Sequence, residues 1–146
     1  MMKLFKVLIF LILFLLFGCD RKIDLNYHEV HWDRDMCERC KMVVSDRNYA
    51  AQLTDPKTGK TKYFDDIGCV ILWFKESQID WSNQTKIWVS DEKTGKWINA
   101  REAKWTTESI TPMGYGFGAY ESGTEPKDKE IIDYDEVVKR VLKIGR

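Results

Sequence analysis

The hexapeptide Asp55-Pro56-Lys57-Thr58-Gly59-Lys60 returns later in the chain as Asp91-Glu92-Lys93-Thr94-Gly95-Lys96. Each copy is turn chemistry: glycine is free to take a positive φ, and in the first copy proline fixes another. Each also lies between apolar runs that alternate as strands do. Residues 42–53 and 61–64 flank the first copy, and residues 86–90 and 97–100 flank the second. Two hairpins are therefore expected.

A helix is expected after the first hairpin. Asp65 or Asp66 can cap it, and Ile67, Val70, Ile71 and Phe74 form a stripe at helical spacing. Residues 115–121 read as a further strand. A closing helix starts at Asp133, with Glu136 completing an acidic capping box and Tyr134, Val137, Val138 and Val141 on its apolar face. Two strands, a helix and a strand, followed by a similar set, suggest an α+β fold built as two related ββαβ units in one compact domain. The plainer alternative is that one good turn sequence has been used twice. Residues 125–130 read as a solvated loop.

The start of the chain sets a compartment. Lys3 and Lys6 precede an unbroken apolar run over residues 7–17. Eleven helical residues span about 16 Å, roughly half a bilayer core, so this is a signal segment rather than a permanent span. It ends Leu16-Phe17-Gly18-Cys19, which resembles a bacterial lipobox with Cys19 as the lipidated residue. An ordinary cleaved signal with an incidental Cys19 is the alternative. The expected organisation is a signal peptide over residues 1–18, a tether over 19–35 and a folded domain over 36–146. The expected location is the membrane, lipid-anchored and facing the periplasm or cell exterior.

Beyond Gly18 the chain holds 21 basic and 23 acidic residues, because the signal carries two of the 23 lysines and arginines. No basic excess exists to neutralise phosphates, which argues against nucleic acid as a partner. Six Trp, six Tyr and seven Phe supply a core and argue against disorder.

The chemistry is concentrated in Met36-Cys37-Glu38-Arg39-Cys40-Lys41-Met42. In a strand, Cys40 and Met42 point to one face, with Cys37 a short turn earlier. Thiolates and thioethers together favour Cu(I), since thioethers are poor ligands for Zn²⁺. Met113 stands in the Gly-rich run Thr111-Pro112-Met113-Gly114-Tyr115-Gly116, and Cys69 in the first turn of the first helix, where the dipole would lower a thiol pKa. Core roles compete for three of these: Met42 as a strand hydrophobe, Met113 as a gap filler, Cys69 as a buried inert thiol.

Three other chemistries also compete. Cys37 and Cys40 can be a redox pair, although such pairs usually open a helix after a strand. His28 and His31 with Cys37 and Cys40 supply four nominal zinc ligands. The two thiols can also form a plain disulfide. No hydrolytic constellation, Walker motif or dinucleotide fingerprint occurs, so an enzyme is not expected.

Taken in order, several elements resemble the NosL family, accessory lipoproteins of nitrous oxide reductase maturation. They are the lipobox, then Cys37-Glu38-Arg39-Cys40-Lys41-Met42-Val43-Val44-Ser45, then Tyr63-Phe64-Asp65-Asp66-Ile67-Gly68-Cys69. Trp97-Ile98-Asn99-Ala100 and Pro112-Met113-Gly114-Tyr115-Gly116-Phe117 follow. The resemblance implies a Cu(I) metallochaperone passing copper towards nitrous oxide reductase or another cuproenzyme, with a membrane transporter complex as helper. It also implies two related ββαβ units, a fold otherwise associated with organomercurial lyase. Cys40 and Met42 match the family's Cys-x-Met element, and Met113 its Pro-Met-Gly element. Lys41 stands where many relatives have glycine, and Cys37 adds a thiol that only some carry. Whether the site is Cys-Met-Met or a two-thiolate site stays open at this level.

Overall fold

The computed structural model describes residues 22–145. The lipobox, Cys19 and the signal segment lie outside the described residues. Among the described residues, seven strands and two helices follow one another: β1 Ala51–Thr54, β2 Thr61–Phe64, α1 Ile67–Glu76, β3 Ile87–Ser90, β4 Trp97–Asn99, β5 Lys104–Thr106, β6 Gly118–Tyr120, β7 Ile131–Ile132 and α2 Tyr134–Ile144. The fold is α+β. A four-stranded antiparallel sheet has the order β2-β1-β3-β4, and a three-stranded one the order β6-β5-β7.

Both copies of the repeated hexapeptide build the same turn. Asp55 Oδ1 accepts from the N–H groups of Lys57 (2.7 Å) and Thr58 (3.3 Å), and Asp91 Oδ1 accepts from Lys93 and Thr94 (2.9 Å each). Gly59 and Gly95 take φ of 73° and 71°. The first turn joins β1 to β2 and the second joins β3 to β4, so both hairpins belong to one sheet. The likeness between the halves lies in strand order: a central strand (β1, β5) between its hairpin partner (β2, β6) and a third strand (β3, β7). The first half runs ββαβ. In the second, the helix follows the third strand.

Alternation sorts the larger sheet into two faces. Ala51, Leu53, Phe64, Ile87 and Val89 face α1, whose Trp73 ring lies 5.5 Å from that of Phe64. Seven consecutive α1 residues, Ile67 to Trp73, are buried. A helix apolar on all sides must be covered on all sides. The sheet, α2 and Trp81 do much of this, and the ring of Tyr115 lies so close to Gly68 that a Cβ there would clash with it. The second helix is amphipathic instead, with Val137 and Val141 fully buried. Asp133 caps it by accepting from Glu136 N–H at 2.9 Å, while the Glu136 carboxylate turns to Arg140 (2.8 Å) and leaves the reciprocal half of the capping box unmade.

The opposite face of the large sheet is covered by residues 25–32, which the sequence reads as tether. Gln52 is fully buried; its amide oxygen accepts from His28 N–H (2.8 Å) and its nitrogen donates to His28 C=O (3.0 Å). Trp88 Nε1 donates to Leu25 C=O at 2.9 Å, Tyr63 donates to Glu29 C=O at 3.1 Å, and Trp32 stacks on Trp97. The expected strand over 42–53 forms only at its end, as β1. Its first residues belong instead to a narrow hairpin with residues 33–37, closed by Asp33 N–H to Val44 C=O (3.1 Å), Val44 N–H to Asp35 C=O (2.9 Å) and Cys37 N–H to Met42 C=O (2.8 Å).

Asp91 joins the two sheets. Besides its own turn it accepts from Glu121 N–H at 2.8 Å, and Glu92 N–H donates to Ala119 C=O at 2.7 Å. Burial pushes its carboxyl up, but the N–H donors of Glu121, Thr94 and Lys93 outweigh that and hold it below the usual carboxylate value. The Asp91→Ala variant is expected to lose about 3 kcal/mol, and Asp55→Ala, whose carboxylate serves only its own turn, about 1 kcal/mol. Because the Asp91 pKa is depressed on folding, its stabilisation is complete above the unfolded value near about 4 and is lost as pH falls through the folded one. Urea midpoints measured down to acid pH should show this fall in the parent protein and a flatter profile in Asp91→Asn.

Candidate metal site

The hairpin over residues 33–44 places its tip, Cys37 to Met42, on the free edge of β2. Glu38 N–H donates to Tyr63 C=O at 2.8 Å, and Cys37 is bridged in parallel to Tyr63. Lys41 sits at φ 61° and donates to Cys37 C=O, so the tip is a tight turn in which strand alternation does not apply. That corrects the expectation that Cys40 and Met42 share a strand face. Instead the turn aims both cysteines at the junction where β2 ends and α1 begins.

The junction is Asp65-Asp66, and the two carboxylates divide the work. Asp66 is the N-cap of α1: Oδ1 accepts from Gly68 N–H (3.0 Å), and Oδ2 accepts from Met113 N–H (3.3 Å). Burial raises its pKa despite these donors and the Thr111 hydroxyl. Asp65 is thereby left to face the thiols, and its Oδ2 accepts from Cys40 Sγ at 3.3 Å. Cys69 follows in the first turn of α1, its N–H donating to Asp66 C=O at 3.0 Å. The Sγ atoms of Cys37, Cys40 and Cys69 and a carboxylate oxygen of Asp65 all lie within 4.8 Å of one another.

Burial orders the group. Cys37 and Cys69 are fully buried, Asp65 is nearly so, and Cys40 is half-exposed. Hydrogen bonding orders its protons. Cys37 Sγ accepts from the Cys69 thiol and, despite burial, is pulled down to about 6, with the backbone N–H groups of Cys40 and Asp65 assisting. Burial pushes Cys40 up to about 12. Cys69 is driven well above the usual thiol range because it is the donor to Cys37 and because it is buried. The expected lowering by the helix dipole is overridden, since a proton shared within a buried sulfur pair stays on one partner.

The residues suit a metal cation. Three soft donors and one hard donor converge from two separate segments, and Asp65 Oδ1 is buried without a hydrogen-bond partner. An unsatisfied buried carboxylate oxygen is costly, and a cation removes that cost. Among the described residues this is the group of histidines, cysteines and carboxylates with metal-binding proximity. His28 and His31 do not join it: the backbone of His28 is bound to Gln52, and His31 Nδ1 lies 3.4 Å from Asp35. Met42 is 53% exposed at the hairpin tip, while Met113 is half-buried against the core. Asp65 is the member that sequence reading missed. Its signal was present in the doubled aspartate, since one helix start needs only one cap.

No protein-family model matches the chain, and no curated protein sequence matches it. Among solved structures, the crystal structure of the copper chaperone NosL from Shewanella denitrificans is similar, with a TM-score of 0.55 and 16% identity over 75% of this chain and 94% of that one. The fold is thus NosL-like.

The proton arrangement has a direct readout. In the reduced, metal-free protein, thiolate ultraviolet absorbance should rise in a step with a midpoint of about 6. Cys37→Ser should remove that step. A first thiolate appearing only near the ordinary value of about 8.5 would contradict the arrangement.

Proposed function

We propose that this protein is a membrane-anchored Cu(I) metallochaperone working outside the cytoplasm, with Cys37, Cys40 and Cys69 as its principal ligands. The observation that carries the reading is the convergence of three thiols and Asp65 within 4.8 Å, built from the hairpin tip and the start of α1. Thiolate-rich sets suit soft metals, Cu(I) among them. Similarity to a copper chaperone supports the same metal. Anchoring would come from Cys19; no helix among the described residues is long and apolar enough to cross a membrane.

Delivery needs a site that is closed to water on most sides and open on one. Cys37 and Cys69 supply the closed side, and half-exposed Cys40 the open one. Copper held there can be approached by an acceptor's soft ligand through Cys40, with Met36 and Met42, about half exposed, beside the mouth on the same hairpin. Nitrous oxide reductase is the proposed client, or another extracytoplasmic cuproenzyme, with a membrane transporter complex as helper. Nothing in the arrangement calls for turnover: binding, shielding and release suffice.

A second reading has one observation in its favour. The Asp65 carboxylate would complete a four-coordinate Cys₃Asp set, which suits structural Zn²⁺. The two metals separate on Asp65: Zn²⁺ uses its oxygen, whereas Cu(I) needs only sulfur.

Competition of the reduced full-length protein against Cu(I) and Zn²⁺ chelators tests the choice. Loss of an outer-shell partner costs roughly 10–100-fold, so Cys69→Ser and Cys40→Ser should each weaken Cu(I) binding by more than about 100-fold. Asp65→Asn should leave Cu(I) affinity within about tenfold. Tight Zn²⁺ binding that collapses in Asp65→Asn, with weak Cu(I) binding throughout, would replace the copper reading with the zinc one.

A further inference from the structure

Arg39 lies between the two cysteines of the hairpin tip, yet its side chain is only 16% exposed. The guanidinium lies along α1. Nε and one terminal nitrogen donate to the two oxygens of Glu76 at 2.9 and 2.8 Å, a bidentate pair at the last residue of the helix. Its other nitrogen donates to Tyr115 Oη at 3.1 Å, and Cys69 lies near enough to help, after Glu76, in holding the guanidinium protonated. Cys69 and Glu76 are seven residues apart, two turns along one face of α1. A single cation thus spans three elements: the hairpin carrying Cys37 and Cys40, the helix carrying Cys69, and the 111–116 loop that packs on Gly68.

We propose that Arg39 is the positioning and charge-balancing residue of the cysteine site, holding the Cys37–Cys40 turn against α1 and offsetting the negative charge that the ligands carry once deprotonated. The inference rests on the copper reading for its ligand, but its geometry is independent of the metal.

Two physical arguments support it. Cys37 and Cys40 approach Cys69 from a different segment, so the sulfur–sulfur spacing is set by whatever fixes the turn to the helix. Glu38 N–H to Tyr63 C=O and the Glu38–Lys62 ion pair at 2.9 Å tie the tip to the β2 edge, and the thiols themselves meet Asp65 and Cys69. Arg39 adds a link to the far end of α1, at Glu76, that does not depend on the thiols. The second argument is electrostatic. Three thiolates and the Asp65 carboxylate around one monovalent cation leave a large negative charge in a mostly buried place, which is costly without a nearby cation. Arginine suits this role better than lysine because its rigid fork can serve the Glu76 carboxylate and the Tyr115 hydroxyl together.

The two roles separate by substitution in the reduced full-length protein. Arg39→Ala removes both latch and charge and should weaken Cu(I) binding by about 10–100-fold, the range for an outer-shell partner. Glu76→Ala frees the guanidinium but keeps its charge, and Arg39→Lys keeps charge without the fork, so each should lose several-fold less than Arg39→Ala. The metal-free readout is alkylation: Cys69, shielded in the parent, should be modified at least about tenfold faster in both Arg39→Ala and Glu76→Ala. If Arg39→Ala does not fold, Glu76→Ala and Arg39→Lys carry the test. Affinity and Cys69 alkylation both within twofold of the parent in the folded variants would overturn the proposal. A parent protein that fails to bind Cu(I) would overturn the copper reading instead, and the alkylation rates would still decide the latch.

Discussion

The capping of α1 by Asp66 is the interaction on which the rest of the site depends. One carboxylate accepts from Gly68 N–H to start the helix and from Met113 N–H to draw the 111–116 loop over it. The helix start fixes Cys69, and the loop brings Tyr115 onto Gly68 and so within reach of Arg39. With its neighbour committed to the cap, Asp65 points the other way, into the sulfurs. The fold delivers the second half of the site by adding an irregular hairpin to the edge of β2, a strand edge that would otherwise expose unpaired backbone groups. Structure and chemistry therefore share one place: the edge that must be covered is covered by the segment that carries the thiols.

Metal-free, this cluster is balanced by protons. Three thiols packed this closely do not all ionise together: the hydrogen bond from Cys69 favours the thiolate on Cys37, while burial holds the protons on Cys40 and Cys69. A soft cation would displace those protons, so binding is coupled to proton release and strengthens as pH rises. Arg39 already stands beside the charge that would develop.

Much of the frame was legible in the sequence because local rules and tertiary context agree there. The Asp-x-Lys-Thr-Gly-Lys turns form as hairpins, β2 runs over Thr61–Phe64, and both helices start at capping aspartates. The repeated turn does not itself mark the two related units, since both copies lie in one sheet; the units match in strand order, which no local motif encodes. Strands β5 and β7 are three and two residues long, too short for periodicity to reveal. The segment from Leu25 to Trp32 looked like a tether because its docking uses backbone groups, met by the buried amide of Gln52 and the Trp88 indole. At the site, the CxxC spacing led directly to Cys37 and Cys40. The proximity of Cys69 required the fold, and the strand-based alignment of Met42 failed because Lys41 turns the chain through positive φ.

In the proposed site, three thiols gathered from the hairpin tip and α1 hold the metal. X-ray absorption at the copper edge, on reduced protein carrying one equivalent of Cu(I), counts them. A first shell of three sulfurs is expected, surviving Met42→Ala and Met113→Ala and dropping to two in Cys69→Ser. A shell that loses sulfur in either methionine variant, yet is unchanged in Cys69→Ser, would contradict it and place the metal on a thioether site instead.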